Sequence, residues 1–305
     1  MLLRGPVHDL GALRRLPAAA TLALVACSAP APTDAPGCDA LPDGPLTATL
    51  LQRGYVGSED LAFDGDGGLA LRRGDRLLLV DAALAEREIT SLSGQVFGTR
   101  FLEGGALVVA RPDAGEVARI SPDGAVEPLV RGLVAPNAVH VDARGDVWIS
   151  DFGGDAIYRL RDGALEEIVA GPAADSANGL VYDERRAALF YADYLGGALR
   201  RVDMEGELPG APALVAEIDG NPDGITLDAC GHLYVIDNGD GELYRVRLDA
   251  DGDALGEPEL LVEFHACVTN GQLGAGAGFD PQALYVIGVE GDLYAVPLGV
   301  GAPAS

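Results

Sequence analysis

Short apolar runs alternate with Asp- and Gly-rich turns along the chain from residue 55 onward. The pattern is clearest in three segments, which read PNAVHVDARGDVWISDFGGDAIYRL, ANGLVYDERRAALFYADYLGGALRRV and PDGITLDACGHLYVIDNGDGELYRV. Each predicts strand, turn, strand, turn, strand, because β-branched and aromatic runs bounded by Asp and Gly form antiparallel hairpins. The pattern recurs at about 40 residues, a spacing typical of the blades of a β-propeller.

Aligning the repeats on one frame gives six equivalent strand starts. They lie near Glu59, Gly98, Asn137, Asn178, Asp223 and Asn270. The sequence therefore predicts an all-β fold, a six-bladed β-propeller of four-stranded antiparallel blades over residues 45–299. The last repeat ends after three strands, whereas residues 45–53 hold an unassigned strand, so we expect the N-terminal strand to complete the last blade and cover its edge. The alternative, an open β-sandwich with extra hairpins, gives no reason for an in-register repeat.

The first residues have the pattern of an export signal. Arg14 and Arg15 precede the apolar run LPAAATLALVA, which is too short to span a bilayer. The run ends in Leu-Val-Ala-Cys, which resembles the lipobox of bacterial lipoproteins. We therefore expect residues 1–26 to be a lipoprotein signal peptide and Cys27 to carry the lipid. An ordinary signal peptide cut nearby is the alternative, and both imply export.

The segment after the signal is predicted to be a tether. Residues 28–37 are rich in Pro, Ala, Ser and Thr and cannot bury apolar surface, so residues 27–44 are assigned as tether and lead-in, and residues 300–305 as a C-terminal tail. Ser28 follows the cysteine, which by resemblance to Gram-negative sorting indicates the outer membrane. We expect a monomer that faces the periplasm or the cell surface and contacts the membrane through its lipid only.

The charge balance excludes several function classes. The chain has 21 basic and 47 acidic residues and a net charge of -26. This charge repels phosphates, so no nucleic-acid partner is expected. All 21 basic residues are arginine. Without lysine, neither a Schiff-base nucleophile nor a phosphate-loop cation is present.

Four oxygen-bearing side chains stand in phase across the blades. Glu59, Asn137, Asn178 and Asp223 each precede an Asp by five residues, namely Asp64, Asp142, Asp183 and Asp228. The first strand of every propeller blade lines the central channel, so equivalent starts converge at one mouth. Two carboxylates and two amide carbonyls form an oxygen-only set that suits a divalent cation, above all Ca²⁺. The alternative is that these are ordinary Asn/Asp-Gly turns, although turn chemistry does not account for a Glu in the first blade.

The same residues carry a family resemblance. The segments Ser-Glu-Asp-Leu-Ala-Phe-Asp, Pro-Asn, Asn-Gly-Leu and Pro-Asp-Gly-Ile at successive blade starts resemble the SMP-30/gluconolactonase/LRE-like family over about residues 45–299. The resemblance implies that Glu59, Asn137, Asn178 and Asp223 hold a divalent cation that polarises a lactone or phosphoester. Family lactonases often carry an Arg two residues before the second of these ligands, where this chain has Ala135. The implied function is a metal-dependent hydrolase of small-molecule lactones or related esters. The alternative is a non-catalytic surface propeller that binds a ligand or a protein partner.

Two residues are candidates for proton transfer. Asp223 combines metal ligation with a carboxylate that can accept a proton, and His265 lies on the crossing into the sixth blade, where it is either a base or an ordinary surface histidine. We expect His140 and Trp148 to be packed in the fold. The run Asp249 to Asp253 has Ala254 where an EF-hand has its Gly, and it lacks the terminal Glu, which favours a solvated turn.

The three cysteines after Cys27 predict one disulfide. Cys230 lies at a hairpin turn on the face opposite the mouth, Cys267 lies on the mouth side, and Cys38 precedes the closing strand and starts from the lower face. A Cys38–Cys230 bridge is therefore expected, with Cys267 free.

Overall fold

The computed structural model describes residues 37–304. Within this range lie three short 3-10 helices, Cys38–Ala40, Pro112–Ala114 and Gly171–Ala173, and 25 β-strands. In chain order the strands are β1 (Thr49–Gln52), β2 (Ala62–Phe63), β3 (Gly68–Arg73), β4 (Arg76–Asp81), β5 (Glu86–Ser91), β6 (Thr99–Phe101), β7 (Leu107–Arg111), β8 (Glu116–Ile120), β9 (Val126–Arg131), β10 (Pro136–Val141), β11 (Val147–Asp151), β12 (Ala156–Arg161), β13 (Ala164–Ala170), β14 (Ala177–Asp183), β15 (Ala188–Asp193), β16 (Ala198–Glu205), β17 (Leu208–Pro209), β18 (Ala213–Glu217), β19 (Pro222–Leu227), β20 (Leu233–Asp237), β21 (Glu242–Val246), β22 (Glu259–Glu263), β23 (Asn270–Leu273), β24 (Ala283–Ile287) and β25 (Leu293–Pro297).

The strands form six antiparallel sheets, which are the six predicted blades. Blades 1, 2 and 3 are β2–β5, β6–β9 and β10–β13, and blade 5 is β19–β22. Blade 4 contains β14, β15, β16 and β18, and the short β17 pairs with the end of β16. The innermost strands of neighbouring blades contact one another around a central channel. The prediction of an all-β, six-bladed propeller with four-stranded blades is confirmed.

The N-terminal strand closes the ring, as expected. β1 pairs antiparallel with β25, Thr49 opposite Ala295, and so becomes the outer strand of blade 6. Before it, the chain runs along the edge of blade 5, where the Leu46 amide donates to the Leu261 carbonyl at 2.6 Å. The strand is shorter than the predicted 45–53 because residues 44–48 contact blade 5 instead of blade 6.

The apolar core lies between adjacent blades. Trp148 of blade 3 is fully buried and stacks on Tyr182 of blade 4, with ring centroids 4.9 Å apart. Its indole N–H donates to Asp142 at 3.0 Å, which satisfies the one polar atom of the ring. Trp148 is thus a core residue, as the sequence indicated.

Several acidic residues at equivalent positions of the repeat accept backbone amides and so stabilise turns. At the face opposite the mouth, called the far face below, one oxygen of Asp64 accepts the backbone N–H groups of residues 66, 67 and 68. Asp142 accepts two backbone N–H groups in the equivalent hairpin of blade 3. Asp249 likewise accepts from the amides of Asp251 and Asp253, which confirms a solvated turn there. These carboxylates hold the backbone in place and take no part in the mouth.

The disulfide prediction is confirmed. Cys38 and Cys230 are bonded with Cα atoms 5.6 Å apart, across 192 positions of sequence. Cys230 lies in the far-face hairpin between β19 and β20, and Cys267 is the free cysteine of the described residues. The bridge fastens the lead-in to blade 5.

The predicted signal peptide, the lipidation site Cys27, Ser28 and most of the tether lie outside the described residues. Within them, no helix has the length and apolarity that a membrane crossing requires. The predicted tail begins inside the fold, since Val300 is buried and the Gly301 carbonyl accepts the amide of Ala229 at 2.8 Å.

Candidate metal centre

Three of the predicted ligands stand at the same irregularity of three neighbouring blades. The ladder between the first two strands shifts register between Pro136 and Val139 in blade 3, and the same shift recurs in blades 4 and 5. Asn137, Asn178 and Asp223 lie directly after the first paired residue of these strands, inside the irregularity. A β-bulge changes the direction of a side chain and recurs beside functional sites.

Backbone contacts hold the strand starts together in a ring. The Gly98 amide donates to the Asn137 carbonyl at 2.7 Å, and the Gly224 amide donates to the Thr269 carbonyl at 2.8 Å. The Thr269 hydroxyl in turn donates to the Glu59 carbonyl at 2.5 Å, which ties blade 6 to blade 1. Glu59 precedes β2 in the chain, so this contact fixes a residue that no sheet ladder holds.

The four predicted ligand side chains are buried, and three of them, Glu59, Asn178 and Asp223, influence one another. Glu59, Asn137, Asn178 and Asp223 are each between 4% and 8% exposed. Burial raises the pKa of Glu59 well above its ordinary value, and the charges of Asp223 and Asp60 raise it further. Burial and then Asp60 raise the pKa of Asp223 in the same way, and the adjacent amide of Asn178 lowers it. Glu59, Asn178 and Asp223 are therefore neighbours, and the two carboxylates repel each other across the channel.

These residues fit a divalent cation. Among residues 37–304, Glu59 and Asn137 have no side-chain hydrogen bond to the protein, and the neighbour of Asp223 is another member of the set. Two carboxylates that repel each other at a buried site, beside amide oxygens, form an arrangement that a hard cation stabilises. All four donors are oxygens, which disfavours a zinc-type site.

A third carboxylate at this point is already neutralised. Asp60 follows Glu59 but accepts from the Thr99 amide at 2.8 Å and from the Arg100 guanidinium at 2.5 Å. It accepts the amide of Leu61 as well. With its oxygens used in this way, Asp60 joins blade 1 to blade 2 and is not one of the candidate ligands.

A rim of three side chains surrounds the mouth above these ligands. Phe152, Tyr194 and Asn238 each directly follow the Asp that ends the second strand of blades 3, 4 and 5. The rings of Phe152 and Tyr194 meet edge to face at 5.9 Å, and the Tyr194 hydroxyl donates to Asn238 Oδ1 at 3.0 Å. Burial, then the charges of Asp223 and Cys267, raise the pKa of Tyr194. Sequence reasoning missed this rim, although the dipeptides Asp-Phe, Asp-Tyr and Asp-Asn stand in phase and could have revealed it.

The histidines occupy different places. His265 is exposed in the mouth-side loop between β22 and β23, so its role as a base stays a prediction. His140 lines a cavity of about 470 Å³ at the far end of the channel, beside residues 302–304 of the tail. Burial, followed by the charge of Arg100, lowers the pKa of His140 to about 3. His140 is thus packed as a neutral imidazole, as expected.

Another acidic group in the described part of the chain lies at the mouth-side turn of blade 5. Oxygens of Asp237, Asp240 and Glu242 lie within 4.8 Å of one another. Asp237 accepts the backbone amides of Asn221 and Gly239 at 2.7 and 2.9 Å, and Glu242 accepts the Tyr244 hydroxyl. Because Asp237 closes this turn, the group is explained by the fold.

The fold defines a class of protein, the six-bladed β-propeller, and four oxygen-bearing side chains lie at the equivalent strand starts of its blades. The family model described as SMP-30/Gluconolactonase/LRE-like region matches residues 127–286, more than half of the chain. The chain therefore belongs to the SMP-30/gluconolactonase/LRE-like family, which confirms the resemblance in its sequence. No curated protein sequence matches the chain.

Solved structures of similar fold carry names from this family. A luciferin-regenerating enzyme is 18% identical with a TM-score of 0.69, and the match covers 85% of this chain and 98% of that one. A gluconolactonase from Xanthomonas campestris is 19% identical with a TM-score of 0.67 over 84% and 98%. A calcium-binding protein, regucalcin, from Agrobacterium tumefaciens is 16% identical with a TM-score of 0.68 over 85% and 96%. At these identities the likeness concerns the fold.

Proposed function

We propose that the protein is a divalent-cation-dependent hydrolase of lactones or related esters, with Ca²⁺ as its cation. The observation that carries this proposal is that four oxygen-bearing side chains at equivalent blade starts are buried, three of them at β-bulges, and that Glu59 and Asn137 make no side-chain hydrogen bond to the described residues. The family and the gluconolactonase and calcium-binding neighbours support the same reading.

The four predicted ligands have different roles in the proposed reaction. Glu59 and Asp223 bind through carboxylates, and Asn137 and Asn178 bind through amide oxygens without adding repulsion. When bound, a divalent cation polarises a carbonyl oxygen and stabilises the charge that develops on it. Asp223 orients the attacking water and takes up its proton, which then passes to the oxygen that is released when the ester C–O bond breaks. The side chains of Phe152 and Tyr194 limit the access of bulk water to Asp223.

A hydrolysis screen with matched variants tests the proposal. The purified protein, titrated with Ca²⁺, is assayed on lactones, aryl esters and phosphotriesters. We expect Asp223→Asn and Glu59→Gln to weaken calcium binding and to lower kcat/KM together, whereas Asp249→Asn in a solvated turn leaves both unchanged. Full calcium binding with no hydrolysis of any substrate would instead identify a binding module.

The role of His265 is tested separately. If His265 is the base, His265→Gln lowers kcat and leaves calcium affinity as it was, because the residue is no ligand. Unchanged kcat would assign proton transfer to the four predicted ligands and exclude His265.

The protein is proposed to work outside the cytoplasm, anchored by lipid at Cys27 to the outer membrane. Cys27→Ala should abolish incorporation of labelled fatty acid and recovery in the membrane fraction while the propeller still folds, because its strands begin only at Thr49. The matched control is Cys267→Ala, which should keep its label. Full labelling of the Cys27 variant would contradict the anchor.

A further inference from the structure

An apolar surface lies over blades 3 and 4 at the mouth. It is made by Val134, Phe152, Tyr194 and Leu195, called the apolar rim below. Val134 is 64% exposed and Leu195 is 68% exposed. Val134 lies beside Gly153, which follows Phe152, and the ring of Phe152 contacts that of Tyr194, which precedes Leu195, so the four residues adjoin one another. A continuous exposed apolar surface marks a binding site.

The apolar rim is attached to the strands that carry the ring. The amides of Val134 and Ala135 donate to the Asp151 carboxylate at 2.9 and 2.6 Å, just before β10 and Asn137. The Leu195 amide donates to the Ser176 hydroxyl at 2.9 Å, two residues before Asn178. Each half of the rim is therefore fixed beside one amide ligand.

The apolar rim offers few partners for hydroxyl groups. Val134, Phe152 and Leu195 have no polar side-chain atoms, and the Tyr194 hydroxyl already donates to Asn238, whose amide donates to the Val268 carbonyl at 3.0 Å. A sugar lactone would lose water from its hydroxyls here without gaining replacement hydrogen bonds.

Two arginines at the mouth edge that could bind an acidic sugar are already paired with a glutamate. Arg111 and Arg131, at the mouth edge of blade 2, both pair with Glu116. Position 135, which precedes Asn137 by two, is alanine. The mouth therefore presents carboxylates below and apolar side chains above.

We infer that the apolar rim binds an alkyl or aryl substituent of the substrate, so that the substrate class is a hydrophobic lactone or ester rather than a sugar lactone. This inference rests on the proposed hydrolase function. A carbonyl held at the ring leaves the substituent over blades 3 and 4. Each methylene that becomes buried there is worth about fourfold in kcat/KM.

The test compares δ-lactones that differ only in the side chain, namely the unsubstituted ring, a butyl and an octyl derivative, with the polyhydroxylated gluconolactone. We expect kcat/KM to rise with chain length and gluconolactone to be the poorest substrate. Leu195→Ser and Val134→Ser should each lower kcat/KM for the octyl compound about fourfold to tenfold and leave the unsubstituted lactone unchanged. Leu208→Ser is the matched control, since Leu208 is 72% exposed but lies at the far end of the same blade as Leu195.

Binding of a non-hydrolysable octyl δ-lactam, measured by calorimetry on the calcium-loaded protein, separates the two proposals. Hydrolysis without chain-length preference, or a preference that both rim variants keep, overturns the inference and leaves the hydrolase standing. Absence of all hydrolysis overturns the hydrolase. In that case lactam binding that Leu195→Ser weakens still supports recognition by the rim, and lactam binding that is absent or equal in all variants overturns it.

Discussion

The charge pair of the ring predicts that one substitution raises stability without calcium and reduces the stabilisation that calcium gives. Glu59→Gln keeps the size of the side chain and one oxygen but removes a charge that burial, Asp223 and Asp60 all disfavour. In chelator the variant should therefore be more stable than the parent. Calcium should stabilise the variant less than it stabilises the parent, because a neutral amide weakens the site.

The magnitudes follow from binding linkage. Calcium at a hundredfold excess over its Kd adds about 2.7 kcal/mol, and a tenfold weaker Kd reduces this to about 1.4 kcal/mol. For roughly 270 folded residues at about 2.1 cal/mol/K each, the unfolding entropy is about 0.57 kcal/mol/K, so the parent should gain about 5 °C in Tm and the variant about 2.5 °C.

The sign of the pH dependence is a further check on the same pair. The pKa values of Glu59 and Asp223 are raised in the folded state, so between about pH 4.5 and those raised values the folded protein holds protons that the unfolded chain has lost. The calcium-free parent should thus lose stability as pH rises through this window, and Glu59→Gln should lose less.

The assay is thermal unfolding in chelator and in calcium, with calcium affinity from calorimetry. Glu290→Gln is the control, because Glu290 is an exposed acid in the mouth-side turn of blade 6. Equal Tm shifts for parent and Glu59→Gln on adding calcium, together with no gain in chelator, would refute the reasoning.

Three further predictions follow from other parts of the fold. Cys230→Ser opens a loop of 192 positions and should cost up to about 5 kcal/mol in urea unfolding, an effect that reductant reproduces in the parent and that Cys267→Ser lacks. Asp151→Ala leaves two backbone N–H groups at the entry to β10 without an acceptor, so it should cost about 1 to 3 kcal/mol and raise the calcium Kd, and an unchanged Kd would separate this clamp from the ring. The pKa of His140 is lowered to about 3, so its NMR shifts should stay constant from pH 8 to pH 5 and its contribution to stability should decline as pH falls below about 6.5, whereas a titration near pH 6.5 would show that the residue is hydrated.

The fold could be predicted because its signals are local. Each hairpin is encoded by apolar runs and by an Asp that accepts the next backbone amides, as Asp64 and Asp142 do. Six such units in one register leave a closed propeller as the consistent arrangement. The closing strand followed from a count of strands, and the disulfide followed from the face on which each cysteine stands.

The site could be predicted in part. Phase alone placed Asn137, Asn178 and Asp223 at one equivalent position of three blades, whereas the role of these residues and Glu59 as ligands stays a prediction. The pair of Asp60 with Arg100 could not be predicted, since the two residues are 40 positions apart and meet only when blades 1 and 2 pack. The path of the lead-in along blade 5 was missed for the same reason.

The bulges explain why the repeat can hold two kinds of Asp in one blade. In blade 5, Asp223 is the second residue of β19 and Asp237 is the last residue of β20, so both lie at the mouth edge of this hairpin, where Pro222 pairs with Asp237. Asp237 lies in the regular ladder and accepts the amides that close its turn. Asp223 lies in the irregular step, where the backbone turns its side chain away from such donors. Composition cannot tell the two apart, because both are buried Asp next to a turn. The number of backbone amides that each carboxylate accepts does so, because Asp237 accepts the amides that close its turn and Asp223 accepts none from the described residues.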